Sequence, residues 1–168
     1  MKFKASLDTL AKGITVFIIL LFIYLGQRSF LIIMDSETDT TSFYLHVFIL
    51  VFLILVLFGT WVFSPQGYEI GDGTLTIKRI IGNVHIRLPE IIEVKELSKE
   101  ETRGTIRTFG VGGLFGYFGR FYIPKLGRVI LFATQRKNKV LIKKKDETQI
   151  IITPDNLQFT QYLNQKIS

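Results

Sequence analysis

The sequence predicts two membrane-length helices joined by a short polar loop, then a β-rich domain closed by one C-terminal helix. Three observations predict this. Residues 43–63 form a run of 21 residues with no formal charge. Residues 68–153 carry short runs that alternate apolar and polar, separated by Gly, Asn and Asp turns. Phe159, Leu163 and Ile167 then stand four apart, which is helical spacing.

The 43–63 run reaches roughly 30 Å at about 1.5 Å per residue, the thickness of a bilayer's hydrocarbon core. Tyr44 and Trp61 lie near its two ends, where amphipathic rings prefer the interface. A first span over about 11–34 is interrupted by Gln27, Arg28 and Ser29. Arg28 then lies near the far end and snorkels to the headgroups. The basic start and apolar middle also suit a signal peptide. No small-x-small site follows Leu25, so a retained helix is expected. Residues 35–42, DSETDTTS, make the loop of a hairpin.

The 168 residues leave room for one further domain. The expected division is 1–63 for the hairpin, 64–67 for a linker and 68–168 for the domain. Charge follows this division. Lys2, Lys4, Lys12 and Arg28 balance Asp8, Asp35, Glu37 and Asp39, so the whole formal charge of +7 belongs to residues 64–168. Basic residues precede the first span (Lys2, Lys4, Lys12) and follow the second (Lys78, Arg79). The positive-inside rule then places both termini in the cytoplasm. His46 lies inside the second span near its end, with no acidic partner in either span, and reads as an interfacial residue.

Strands are expected at 68–70, 74–80, 84–88 and 91–97, then at 128–134, 139–144 and 149–153. A long connection is expected over 98–127. Thr153 is expected to cap the last helix, with Pro154 at its first position. Seven antiparallel strands and a C-terminal helix are the elements of a pleckstrin-homology-like (PH-like) barrel. YEIGDGTLTIKR (68–79), FGVGGLFGYFGRFYIPKLG (109–127), RVILFAT (128–134) and IITPDN (151–156) resemble the bacterial pleckstrin-homology domain family in its membrane-anchored form, and the resemblance implies a place at a bacterial inner membrane. It implies a non-catalytic interaction module and carries over no phosphoinositide site.

The Gly-aromatic run supplies candidate membrane or partner contacts at Leu114, Phe115, Tyr117, Phe118, Arg120, Phe121 and Tyr122. Aromatic rings bury area at a bilayer while Arg meets phosphate. A purely structural role, folding back over an open barrel end, is the competing reading. Arg136, Lys137, Lys139, Lys143, Lys144 and Lys145 are candidate headgroup contacts, or a solvated strand edge that blocks unwanted pairing. The expected partners are the lipid bilayer, anionic lipid, and a membrane protein or a second copy of the chain.

Several chemistries find no support. There is no Cys, so thiolate catalysis, disulfides and zinc-thiolate sites are excluded. The glycines lack the Gly-Lys-Ser/Thr of a phosphate loop. His85 points out of a strand with no second His or nucleophile beside it. The basic run 135–147 has no interleaved aromatics, which argues against nucleic acid. No enzyme, metal or cofactor is expected.

Overall fold

The computed structural model describes residues 1–35 and 37–167. The two apolar runs are helices, α1 (Thr9–Met34) and α2 (Thr40–Phe63). Both are long and apolar enough to cross a membrane. Aspartates cap both. Asp8 takes the Ala11 N–H at 2.8 Å, and Asp39 takes the N–H groups of Thr41 and Ser42. Such caps satisfy N–H groups that the first helical turn leaves free. The helices pair side by side, and His46 Nδ1 lies 3.1 Å from the buried Ser29 Oγ.

The remainder is β-rich, with ten strands among the described residues. One sheet has the order β1-β2-β3-β4, formed by Lys2–Lys4, Gly67–Gly71, Thr74–Lys78 and Val84–Arg87. The other holds β5 (Ile91–Glu96), β6 (Ile106–Gly113), β7 (Gly116–Ile123), β8 (Gly127–Ala133), β9 (Val140–Lys144) and β10 (Gln149–Ile152). Its order is β5-β9-β10-β8-β7-β6. Helix α3 (Gln158–Ile167) packs across β5. Its apolar stripe buries Phe159 and Leu163 in the main core, beside Tyr68, Leu75, Ile77 and Ile142.

Strand alternation divides the larger sheet's apolar residues between its faces. Ile130, Phe132, Ile142, Ile150 and Ile152 turn to the main core. Val129, Leu131, Leu141 and Ile151 turn to the other face and join Phe121 and Ile123 in a second cluster.

Three expectations need correction. First, the 98–127 connection contains the hairpin β6–β7, so the strand count rises. Its glycines argue against a strand in a linear reading, yet Gly110 and Gly119 pair across the hairpin. Both have φ near +120°, and a Cβ on either would lie within 2.4 Å of the opposite backbone. Second, the strands are not all antiparallel: β10 runs parallel to β8. Third, α3 begins at Gln158, where Asn156 Oδ1 takes the Gln158 N–H. Thr153 Oγ1 instead takes the Thr134 N–H at 2.9 Å and ties β10 to the end of β8. A further strand, β1, precedes the helices and joins the first sheet, pairing Phe3 with Tyr68. Three residues are too few to show a period. Only burial of Phe3 against Phe159, at 5.0 Å between rings, reveals the strand.

Candidate functional site

The β domain is held against one end of the helix pair at three points. Asp8 is the first. Its N–H donates to Thr134 O, and its carboxylate accepts from Arg136 Nε at 3.0 Å and from the Tyr117 hydroxyl at 3.2 Å. Burial alone would raise the Asp8 pKa, but the Ala11 N–H and Arg136 outweigh it and hold the carboxyl below its usual range. Burial, with Asp8 nearby, pushes the Tyr117 phenol up to about 12. The second point is Thr15, about two turns further into α1. Its Oγ1 accepts from Phe115 N–H at 2.9 Å and donates to Gly113 O at 3.4 Å. The turn of the β6–β7 hairpin therefore rests on α1. The third point is the end of α2, where Ile81 N–H donates to Val62 O. There the Arg79 guanidinium lies 5.7 Å from the ring centres of both Phe63 and Phe132.

These contacts set an axis. Gly116 lies at the helix end of β7 and Ile123 at the far end. The predicted contact residues are distributed along that axis. Leu114 and Phe115 are half-buried in the turn on α1. Tyr117 is half-buried at Asp8. Phe118 and Phe121 are buried, one on each face of the sheet, while Arg120 and Tyr122 are exposed. Arg120 and Tyr122 join Phe109, Arg128 and the 146–149 turn around an open groove of about 680 Å³. Phe109 is 76% exposed and Ile106 59%, both on β6, the end strand of its sheet among the described residues.

The predicted basic residues form two groups, separated by the length of β9, roughly 16 Å at about 3.3 Å per residue. At the far end, Lys143 pairs with Glu147 at 2.8 Å, and Lys144 with Asp146 at 3.0 Å and Glu90 at 3.4 Å. These carboxylates raise the pKa of both lysines. Lys145 is exposed beside them. At the near end, Arg136, Lys137 and Lys139 meet Lys99 around a basin of about 750 Å³ that reaches Asp8 and Thr9. Lys139 Nζ donates to Thr102 Oγ1 at 2.8 Å. Burial, and secondarily Arg136, lower its pKa.

Thr102, Gln135, Arg136 and Lys139 also line a second cavity of about 270 Å³. It lies between the sheet's second apolar face and the 97–105 connection. Tyr117, Phe121, Ile123, Leu131 and Ile151 wall it. The sequence reading missed Lys99 and Asp8 as members of this basin. They lie far from 136–139 in the chain: the pairing of β5 with β9 brings Lys99 there, and the bond from Asp8 N–H to Thr134 O brings Asp8.

Among the described residues no cluster of His, Asp and Glu could hold a metal ion. His85 is exposed, with Nδ1 3.0 Å from Thr76 Oγ1. A family model described as the bacterial PH domain matches residues 66–167, more than half of the chain. Neither the curated proteins nor the solved structures contain a match.

Proposed function

The chain belongs to the bacterial PH domain family, and on that premise we propose that it is a non-catalytic interaction module held by α1 and α2 at the cytoplasmic face of the bacterial inner membrane. It takes an extended segment of a partner protein along β6.

The observation that carries this reading is the β6 edge. An end strand exposes a row of unpaired N–H and C=O groups, and proteins without a use for such an edge cover or charge it. Here Ile106 and Phe109 stand exposed on it, beside the groove of Arg120, Tyr122 and Arg128. An added strand gains backbone hydrogen bonds from the edge, and side-chain pockets supply selectivity. The orientation follows from charge. Lys2, Lys4 and Lys12 precede or begin α1 and Lys78 and Arg79 follow α2, whereas Arg28 alone is the basic residue near the loop between them. With both ends of the helix pair cytoplasmic, the Asp8, Thr15 and Val62 contacts hold the domain close to the bilayer surface.

A photo-crosslinking residue at position 109 of the full chain, expressed in cells, tests the β6 reading. A discrete protein adduct from position 109, absent from position 85 on β4, is expected. An adduct between two copies would assign the edge to self-association. Crosslinking only to lipid would sink the reading.

A second reading, contact with anionic headgroups, is favoured by the basin of Lys99, Arg136, Lys137 and Lys139 beside the start of α1. Cationic groups near an anionic surface contribute roughly 1 kcal/mol each. Amide exchange across 97–105 and 135–139 should slow in nanodiscs of anionic lipid relative to neutral lipid, and high salt should remove the difference.

A further inference from the structure

The cavity behind the basic basin differs in chemistry from everything around it. Its walls are Phe121, Ile123, Leu131 and Ile151, which belong to the sheet's second apolar cluster. Its approach is cationic. Lys99 and Lys137 have no ion pair among the described residues, and Lys139 reaches only a hydroxyl. Arg136 already spends its charge on Asp8. A lysine drawn partly out of water beside Arg136, without a carboxylate, is a cation that an incoming anion would stabilise. An apolar recess with cations at its entrance matches a ligand with the same two halves.

Size narrows the class. At about 270 Å³ the recess lies just below the usual range for small-molecule sites, roughly 300–1,000 Å³. It has room for part of one chain and none for two. Position supplies the source. Asp8 and Thr9, at the start of α1, line the basin. Ile14, where the apolar run of α1 begins, lies six residues on, or about 9 Å along the helix axis. On the membrane reading above, which this inference rests on, the entrance opens at headgroup level.

We propose that this cavity binds a single-chain anionic amphiphile drawn from the membrane surface, its acyl chain against Phe121, Leu131 and Ile151 and its anionic head on Lys139, Lys99 and Lys137. Free fatty acids and lysophospholipids share this chemistry.

Native mass spectrometry of the full chain in a non-ionic detergent distinguishes them, using oleate, lysophosphatidylglycerol and lysophosphatidylcholine with the same tail. One saturable adduct per chain is expected with an anionic amphiphile, and at least about tenfold weaker binding of the zwitterionic one. The stronger of the two anionic adducts identifies the source. Thr105→Trp, at an exposed position of the covering connection, should abolish binding by filling the recess. Lys139→Gln keeps a hydrogen-bonding group for Thr102 and should weaken binding about tenfold or more. Equal adducts with all three amphiphiles, or adducts unchanged in both variants, would overturn the proposal. Loss of the crosslink at position 109 with this binding intact would count against the β6 reading alone. If the chain proves not to be membrane-embedded, both readings fall together.

Discussion

Replacing Thr15 with Val tests whether the β domain is coupled to α1 or merely lies beside it. Thr15 is 7% exposed, and its Oγ1 takes the Phe115 N–H at 2.9 Å. Val keeps the shape and removes the acceptor. A buried amide left unsatisfied costs about 1–3 kcal/mol. The outgoing bond to Gly113 O, at 3.4 Å, is long and adds little. Phe115 is only half-buried, so water relieves part of the loss and the cost falls near 1–2 kcal/mol. That corresponds to a factor of about 5–30 in an opening equilibrium. Amide exchange of the full chain in nanodiscs should therefore quicken by this factor in peptides covering 106–123. Peptides covering 68–78 should hold their protection. Thr15→Ser retains the hydroxyl and should behave as the parent. Unchanged exchange over 106–123 in Thr15→Val would refute the coupling.

Three further predictions concern the β domain. Phe3→Ala removes a ring packed on Phe159 and Tyr162, and should destabilise the domain by about 3–5 kcal/mol in denaturant unfolding. A fragment starting at residue 66 should show the same defect, and wild-type stability of that fragment would deny β1 its role. Gly119→Ala sets a Cβ 2.4 Å from Phe109 O at φ +123°, so a loss of about 3 kcal/mol or more is expected from strain and clash. Gly71→Ala, with open space around it, should change the unfolding midpoint by no more than about 0.5 kcal/mol. Tyr68 donates to Phe132 O at 2.6 Å and accepts from Thr153 N–H at 3.1 Å. Burial pushes its pKa up to about 12. The folded state thus keeps the proton that the unfolded chain releases near pH 10. Stability is fully present below pH 10 and should fall as pH rises towards 12, and Tyr68→Phe should flatten that fall.

How much was legible followed the range of the forces involved. The apolar runs at 14–34 and 43–63 are local, so both helices and the short loop between them could be read directly. Alternation over 74–80, 84–88 and 128–134 placed strands to within a residue or two, because one buried face imposes a period of two. The Gly-aromatic hairpin was illegible for the opposite reason. Gly110 and Gly119 carry no side chain to alternate, and their pairing depends on each other across the turn. Thr153 read as a helix cap because its hydroxyl suits one, but the Thr134 N–H, 19 residues away in sequence, claimed it.

The candidate site divides in the same way. The sequence alone determined that this chain has two apolar helices of membrane length, a basic β-rich domain closed by an amphipathic helix, and no thiol chemistry. Composition and periodicity are properties of neighbouring residues and need no fold to be read. Only the tertiary structure decided that Phe118 and Phe121 turn inward while Phe109 turns out. It also decided that Lys143 and Lys144 are held by carboxylates while Lys99 and Lys137 are not. Above all, it set Asp8, Lys99 and Arg136 around one basin at the foot of α1. The basin comes from contacts such as Asp8 with Arg136, 128 positions apart, which the docking of strands and helices creates and no local pattern records.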